Sequence, residues 1–185
     1  HTRFLYVSWA QMCIRDRSGS VEVHVTETLD VQTLTLDGVN TLVVTNASIT
    51  MTPAQAERFR NTLTKISATV KVLDVATTAN YTTFHVEQWA FDELILQNTT
   101  LTITPSQSHV LSTKTVHKTN STIIMHVSST TDATLLNLSK VDAITTASNS
   151  VLTLHVDHMG IPITKGNGST AVLHVNGAVN ISTIT

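Results

Sequence analysis

Val23-His24-Val25, Phe84-His85-Val86, Met125-His126-Val127, Leu154-His155-Val156 and Leu173-His174-Val175 are five renderings of one phrase, a large apolar residue followed by His-Val. The steps from His24 to His85, from His85 to His126 and from His155 to His174 each lie near a multiple of about 20 residues, inside the period range of stacked repeat architectures. Only the step from His126 to His155 falls off that period. The phrase is also a strand phrase, with two side chains turned to one face and the histidine to the other. It argues for an architecture and names no activity.

Around these phrases the chain keeps alternating. Val21-Glu22-Val23-His24-Val25-Thr26 has the period-two mark of a half-buried strand. Further strands are expected at Leu34-Thr35-Leu36, Leu42-Val43-Val44, Ile49-Thr50-Met51 and Val70 to Val75. From Tyr81 the opening pattern returns: Phe84-His85-Val86, then Leu94-Ile95-Leu96, then Leu101-Thr102-Ile103. Ile123-Ile124-Met125, Leu135-Leu136, Val151 to Leu154 and Ala171-Val172-Leu173 continue the series, with a polar excursion from Pro105 to Asn120. Strands therefore arrive about every ten residues. Asp37-Gly38 reads either as a two-residue hairpin turn or as a corner between strands of a coil. Asn167-Gly168 and Asn176-Gly177 are turn dipeptides.

Composition agrees with strands. Thr occurs 34 times, and its branched side chain suits a pleated surface. Aromatics are only 4%, so Val, Leu, Ile and Ala must supply the core. At 185 residues the chain is long enough to bury one. A net charge of −2 gives no electrostatic reason to expect nucleic acid. No run reaches the roughly 18 apolar residues of a membrane helix.

One segment breaks the period. Thr52-Pro53-Ala54-Gln55 fits a capping box, with Thr as N-cap, Pro at the first helical position and Gln three residues after the cap. Ala56, Phe59, Leu63 and Ile66 follow at helical spacing, so one helix is expected at about 53–66. Its Phe59 and Leu63 should pack on the β-core while Glu57 and Arg58 stay in water.

The first seventeen residues stand apart. Gln11-Met12-Cys13-Ile14-Arg15-Asp16-Arg17 resembles the conceptual translation of a transposase adapter used in preparing sequencing libraries. Residues 1–17 are therefore read as an artefact outside the fold. The remainder has 8 basic and 12 acidic residues, net −4, and no cysteine. It can form neither a disulfide nor a thiolate metal site. Residues 18–185 read as a single β-repeat domain, an open fragment at both ends, with Ile181 to Thr185 still in a strand pattern.

The expected fold is mainly β: an irregular parallel β-solenoid with that one short helix, the alternative being a β-sandwich. A solenoid of eight coils would be roughly 40 Å long at a strand spacing of about 4.8 Å. The stretch Ala47-Ser48-Ile49-Thr50-Met51-Thr52-Pro53-Ala54-Gln55-Ala56-Glu57-Arg58-Phe59, within residues 47–75, resembles units of large repetitive bacterial cell-surface, adhesin-type proteins. That resemblance implies a Thr-rich strand running into a short helix and an extracellular or cell-surface location. It brings no catalytic residues.

Chemical constellations are sparse. Histidines stacked on one outer face would chelate a divalent metal or charge together near pH 6. The plainer reading is that they face solvent as Thr and Glu do, since no carboxylate recurs at a fixed offset beside them. Asp157, between His155 and His158 and with Lys165 near in sequence, is a seed for polysaccharide cleavage. Asp92 and Glu93 point to opposite faces of a strand and cannot act as a pair, and Glu87 stands alone. Trp89 and Phe91 form either a small sugar-stacking platform or core packing. Asn46, Asn80, Asn98, Asn120, Asn137, Asn167 and Asn180 open glycosylation sequons that a Thr- and Ser-rich chain produces readily.

The expected function is accordingly a non-enzymatic structural or adhesive segment of a secreted or cell-surface repeat protein. No catalytic, cofactor-binding or metal residues and no cofactor are assigned. Surface glycans or neighbouring repeats of the same protein are the expected partners, and no nucleic acid. The alternative is a carbohydrate-binding or polysaccharide-cleaving β-domain built on Trp89, Asp157 and His158.

Overall fold

The computed structural model of the protein describes residues 2–7, 10–17 and 20–175, and side chains from residue 21 onward. In chain order the elements are β1 (Thr2–Val7), β2 (Ala10–Arg17), β3 (Ser20–Val25), β4 (Leu29–Asp30), β5 (Val39–Thr45), β6 (Ser48–Met51), α1 (Pro53–Arg58), β7 (Leu63–Ile66) and β8 (Thr69–Asp74). Then come β9 (Thr78–Asn80), a 3-10 turn (Val86–Gln88), β10 (Glu93–Gln97), β11 (Thr100–Ile103), α2 (Pro105–Ser112), β12 (Thr115–Thr119) and β13 (Thr122–Val127). The series closes with β14 (Thr131–Asp132), β15 (Ala143–Thr146), β16 (Val151–His155), a second 3-10 turn (Val156–His158), β17 (Ile163–Thr164) and β18 (Thr170–His174).

These elements fall into two compact units. The first comprises His1–Val75, Phe84–Gln97 and Lys114–Thr119. It holds two five-stranded sheets, ordered β1-β2-β3-β5-β7 and β12-β10-β8-β6-β4. The second comprises Ala76–Thr83, Asn98–Thr113 and Asn120–Thr185, with sheets ordered β17-β15-β13-β11-β9 and β14-β16-β18.

From β3 onward every neighbouring pair among the described strands is parallel. Register partners are one short lap of chain apart: Leu42 lies opposite Leu63, Leu94 opposite Val116 and Leu152 opposite Ala171. Each lap is roughly 20 residues, as stacked repeats require. Asp37-Gly38 is thus a corner and not a hairpin, since β5, which follows it, lies parallel to β3. Gly38 takes φ +84 there, a conformation that side chains disfavour. Residues 2–17 behave differently: β1 and β2 are antiparallel, and β2 lies antiparallel on β3 with Met12 opposite Val25.

Parallel strands with a neighbour on both sides bury alternate residues. In β8 these are Val70, Val72 and Asp74, and in β13 Ile123, Met125 and Val127. Thr, Lys and His take the other face, the arrangement expected from the alternation. The corners between consecutive strands need a left-handed residue, and Asn46, Ser67, Asn98, Asn120 and Asn149 supply it with φ between 49 and 59. Asn tolerates that region better than most side chains.

The helical segment is corrected in two ways. Only Pro53–Arg58 is helical, and Leu63–Ile66 is a strand lying parallel to β5. Phe59 ends the helix at φ −93, ψ 11, and its carbonyl accepts from Thr62 and Leu63, turning the chain out. The β-branched Thr62, Thr64 and Ile66 then favour extension over a further turn of helix. The second correction is a second helix, Pro105–Ser112, inside the stretch read as a polar excursion. It opens with Thr104-Pro105-Ser106-Gln107, the same phrase as Thr52-Pro53-Ala54-Gln55, and both capping boxes are closed. Leu34-Thr35-Leu36 and Leu135-Leu136 lie in irregular, turn-containing segments and not in strands, with Leu34 N–H donating to the Val31 carbonyl and Leu136 N–H to that of Ala133.

Candidate functional site

In the first unit, polar chemistry gathers around Glu57. Its Oε1 lies 2.7 Å from Nη1 of Arg60 and 2.8 Å from Nδ1 of His85. Its Oε2 accepts the backbone N–H of His85 at 2.9 Å and the indole N–H of Trp89 at 2.8 Å. Arg60 also donates from Nε to Gln88 at 3.1 Å. The Glu57 side chain is 18% exposed, so the expectation that it sits in water is corrected. Burial alone would raise its carboxyl pKa. The hydrogen bonds from Trp89 and His85 and the charge of Arg60 outweigh burial and hold it below the ordinary carboxylate range. The result is a charged clasp joining α1 to the 84–89 turn.

That clasp settles the aromatic residues of the same turn. Trp89 is 5% exposed and Phe91 1%. Their rings meet edge-on at 6.0 Å, Phe84 packs on Trp89 at 5.7 Å, and Lys114 lies over Phe91 at 5.1 Å. Neither indole face is presented as a platform for a sugar ring, so these are packing residues. Asp92 and Glu93 diverge as expected: Asp92 pairs with Lys65 at 2.5 Å, and Glu93 with Lys71 at 3.3 Å.

The recurrent histidines are dispersed. In the first unit His24 faces Glu22 at 2.6 Å, and His85 belongs to the clasp, outside any strand. In the second unit His126 contacts the Thr145 hydroxyl at 3.0 Å. Only His155 and His174 are register partners in neighbouring strands. His155 Nδ1 lies 3.1 Å from Asp157 Oδ2, and its ring meets His158 edge-on at 6.4 Å. The His158 Nδ1 atom is buried without a partner. Asp157 is 80% exposed, and Lys165 is exposed. Among the described residues no group of three or more His, Cys, Asp or Glu is arranged to hold a metal ion.

The sequons fall where turn chemistry wants Asn. Asn46, Asn98 and Asn120 are the left-handed corners, with Asn120 Nδ2 donating to Asn98 Oδ1 at 3.3 Å. Asn80 and Asn137 accept the N–H two residues on, from Thr82 and Ser139. A strand-opening Thr or Ser two residues after such an Asn completes the triplet without any sugar being involved. Asn180, Asn176-Gly177 and the strand pattern at 181–185 lie outside the described residues.

Sequence reasoning missed the Glu57 clasp because its members are 28 and 32 residues apart with no spacing rule to connect them. Among the described residues no helix is long and apolar enough to cross a membrane. Compared with protein-family models, with curated proteins and with solved structures, the chain matches none.

Proposed function

We propose that this chain is a segment of an irregular parallel β-solenoid and serves as a non-enzymatic structural or adhesive piece of a secreted or cell-surface repeat protein. The observation that carries the reading is the parallel pairing of strands one lap apart, found in all four sheets. A chain that returns in register after each short lap, with Asn at successive corners, builds its surface from stacked laps and not from a single pocket. Polar side chains are used on one another, as in the Glu57 clasp.

The carbohydrate reading has less support. Trp89 is committed to Glu57 and to its aromatic neighbours, and among the described residues the side chain of Asp157 pairs with His155. Display of the chain on a non-adherent bacterial surface tests the proposal. Adhesion to other cells or to matrix, unchanged by Asp157→Ala, is the expected result. Polysaccharide cleavage by the purified chain, abolished by Asp157→Ala, would overturn it.

A further inference from the structure

Three strands open in the same way. Thr69 of β8, Thr122 of β13 and Thr170 of β18 each donate a backbone N–H to the corner before the preceding parallel strand, at Ala47, Thr99 and Ser150. In a parallel strand, alternate N–H groups point to opposite neighbours. The next residue therefore donates the other way. Val70 N–H goes to Asp92 Oδ2 at 2.8 Å and Ile123 N–H to Asp142 Oδ2 at 2.7 Å. In β3 the equivalent Val21 N–H goes to Asn40 Oδ1 at 2.8 Å. Each acceptor stands at the head of the next strand in the sheet, β10, β15 or β5. Each is followed two and four residues later by buried side chains: Leu94 and Leu96, Ile144 and Thr146, Leu42 and Val44.

Ala171 is that same position in β18. Here the pattern stops: β8 lies between β6 and β10 and β13 between β11 and β15, but among the described residues β18 has β16 alone. Leu152 and Leu154 of β16 are buried, whereas Ala171 beside them is exposed and Leu173 half-exposed. Val172 is 43% and Val175 37% exposed. A parallel return in these sheets takes a full lap, as from Leu152 to Ala171.

We infer that the edge of β18 away from β16 is a docking surface for one parallel β-strand that begins with Asp or Asn and carries apolar residues two and four places later, the chemistry of β5 and β10, which β15 shares at its first apolar position. The inference rests on the proposed stacking of repeats and adds where, in which direction and through which atoms a further unit of the same kind attaches. The incoming carboxylate or amide accepts the Ala171 N–H, the incoming backbone takes up that of Leu173, and its apolar side chains cover Ala171 and Leu173. An edge of this kind is a ready template for strand addition.

Amide hydrogen exchange on the full chain tests this, with a capped peptide of residues 91–98, Phe-Asp-Glu-Leu-Ile-Leu-Gln-Asn, as the probe. In the free chain Ala171 and Leu173 should exchange fast and Val172 slowly. Saturating peptide should slow Ala171 and Leu173 at least tenfold, and a peptide with Ala in place of its Asp should protect Ala171 less. Ala171→Pro removes one outward N–H and no bond to β16, so it should abolish the protection. Ala171→Ser, which keeps the N–H, should preserve it. Protection of the same two amides that rises with chain concentration alone is the same docking by a second copy and supports the inference. Unchanged exchange at Ala171 and Leu173, or protection that survives Ala171→Pro, would overturn it. Neither result touches the adhesion assay, so the two proposals fail separately.

Discussion

Glu57 on α1 accepts the indole N–H of Trp89, 32 residues further along the chain, at 2.8 Å. The same carboxylate takes the backbone N–H of His85 and pairs with Arg60, so one largely buried side chain satisfies three partners. Removing it takes away the acceptor of the Trp89 indole N–H. Glu57→Ala should cost about 2–3 kcal/mol, whereas Arg60→Ala, at the more exposed rim, should cost about 1 kcal/mol or less. Urea unfolding of the two variants side by side makes the comparison.

The same residue gives a pH dependence with a definite sign. Its carboxyl is held below its ordinary value of 4.5 in the fold, so the folded state favours the charged form. That stability is fully present above the unfolded value and is lost as pH falls below about 4.5 and through the lower folded pKa. Stability measured from pH 7 to pH 3 should fall at the acid end for the parent chain. Glu57→Gln should show a lower plateau and a shallower acid fall, and an identical acid slope would count against the clasp.

Phe59 is 1% exposed at the end of α1, and Arg58 beside it is 40% exposed and paired with Asp37. Phe59→Ala should therefore cost about 3–5 kcal/mol and lower the melting temperature by several degrees. Arg58→Ala should barely move it. Equal, small effects would mean that α1 is not packed on the sheets of its unit.

The two capping glutamines do a second job beyond their helices. Gln55 Nε2 donates to the Val31 carbonyl at 2.7 Å, and Gln107 Nε2 to that of Tyr81 at 2.6 Å. Gln107 is 2% exposed, and Gln107→Ala removes the side-chain bonds it makes to the Thr104 N–H and the Tyr81 carbonyl. A loss of about 1–3 kcal/mol is expected from the two lost hydrogen bonds. Ser106→Ala, in the same turn, should change little, which thermal melts by circular dichroism will show.

The left-handed corners are a separate, smaller term. Asn98 holds φ 55 at an exposed corner and accepts from Asn120. Asn98→Ala should cost about 1 kcal/mol through backbone strain, and Asn98→Gly appreciably less. If both cost the same, the side-chain bond to Asn120 and not the backbone sets the effect.

What the sequence determined by itself is local. Alternation at Val21–Thr26 and Val151–His155 is a property of neighbouring residues, so it marks strands and their buried face wherever they end up. Thr52-Pro53-x-Gln55 is equally local, since a cap, a fixed φ and a reciprocal hydrogen bond lie within one turn. Thr104-Pro105-x-Gln107 carries the same signal, set in more polar surroundings. The tertiary structure decided what depends on residues far apart. Whether Leu63 continues a helix or opens a strand depends on β5 waiting one lap back with backbone groups still to be paired. Whether Asp37-Gly38 is a hairpin depends on which side of β3 the next strand takes. Trp89 and Phe91 read as core packing or as a sugar platform until Glu57 takes the Trp89 N–H, and the five His-Val phrases read alike until the registers place only His155 beside His174. Backbone hydrogen bonds between strands carry no side-chain signature, so register and direction are absent from the linear pattern until the chain is folded.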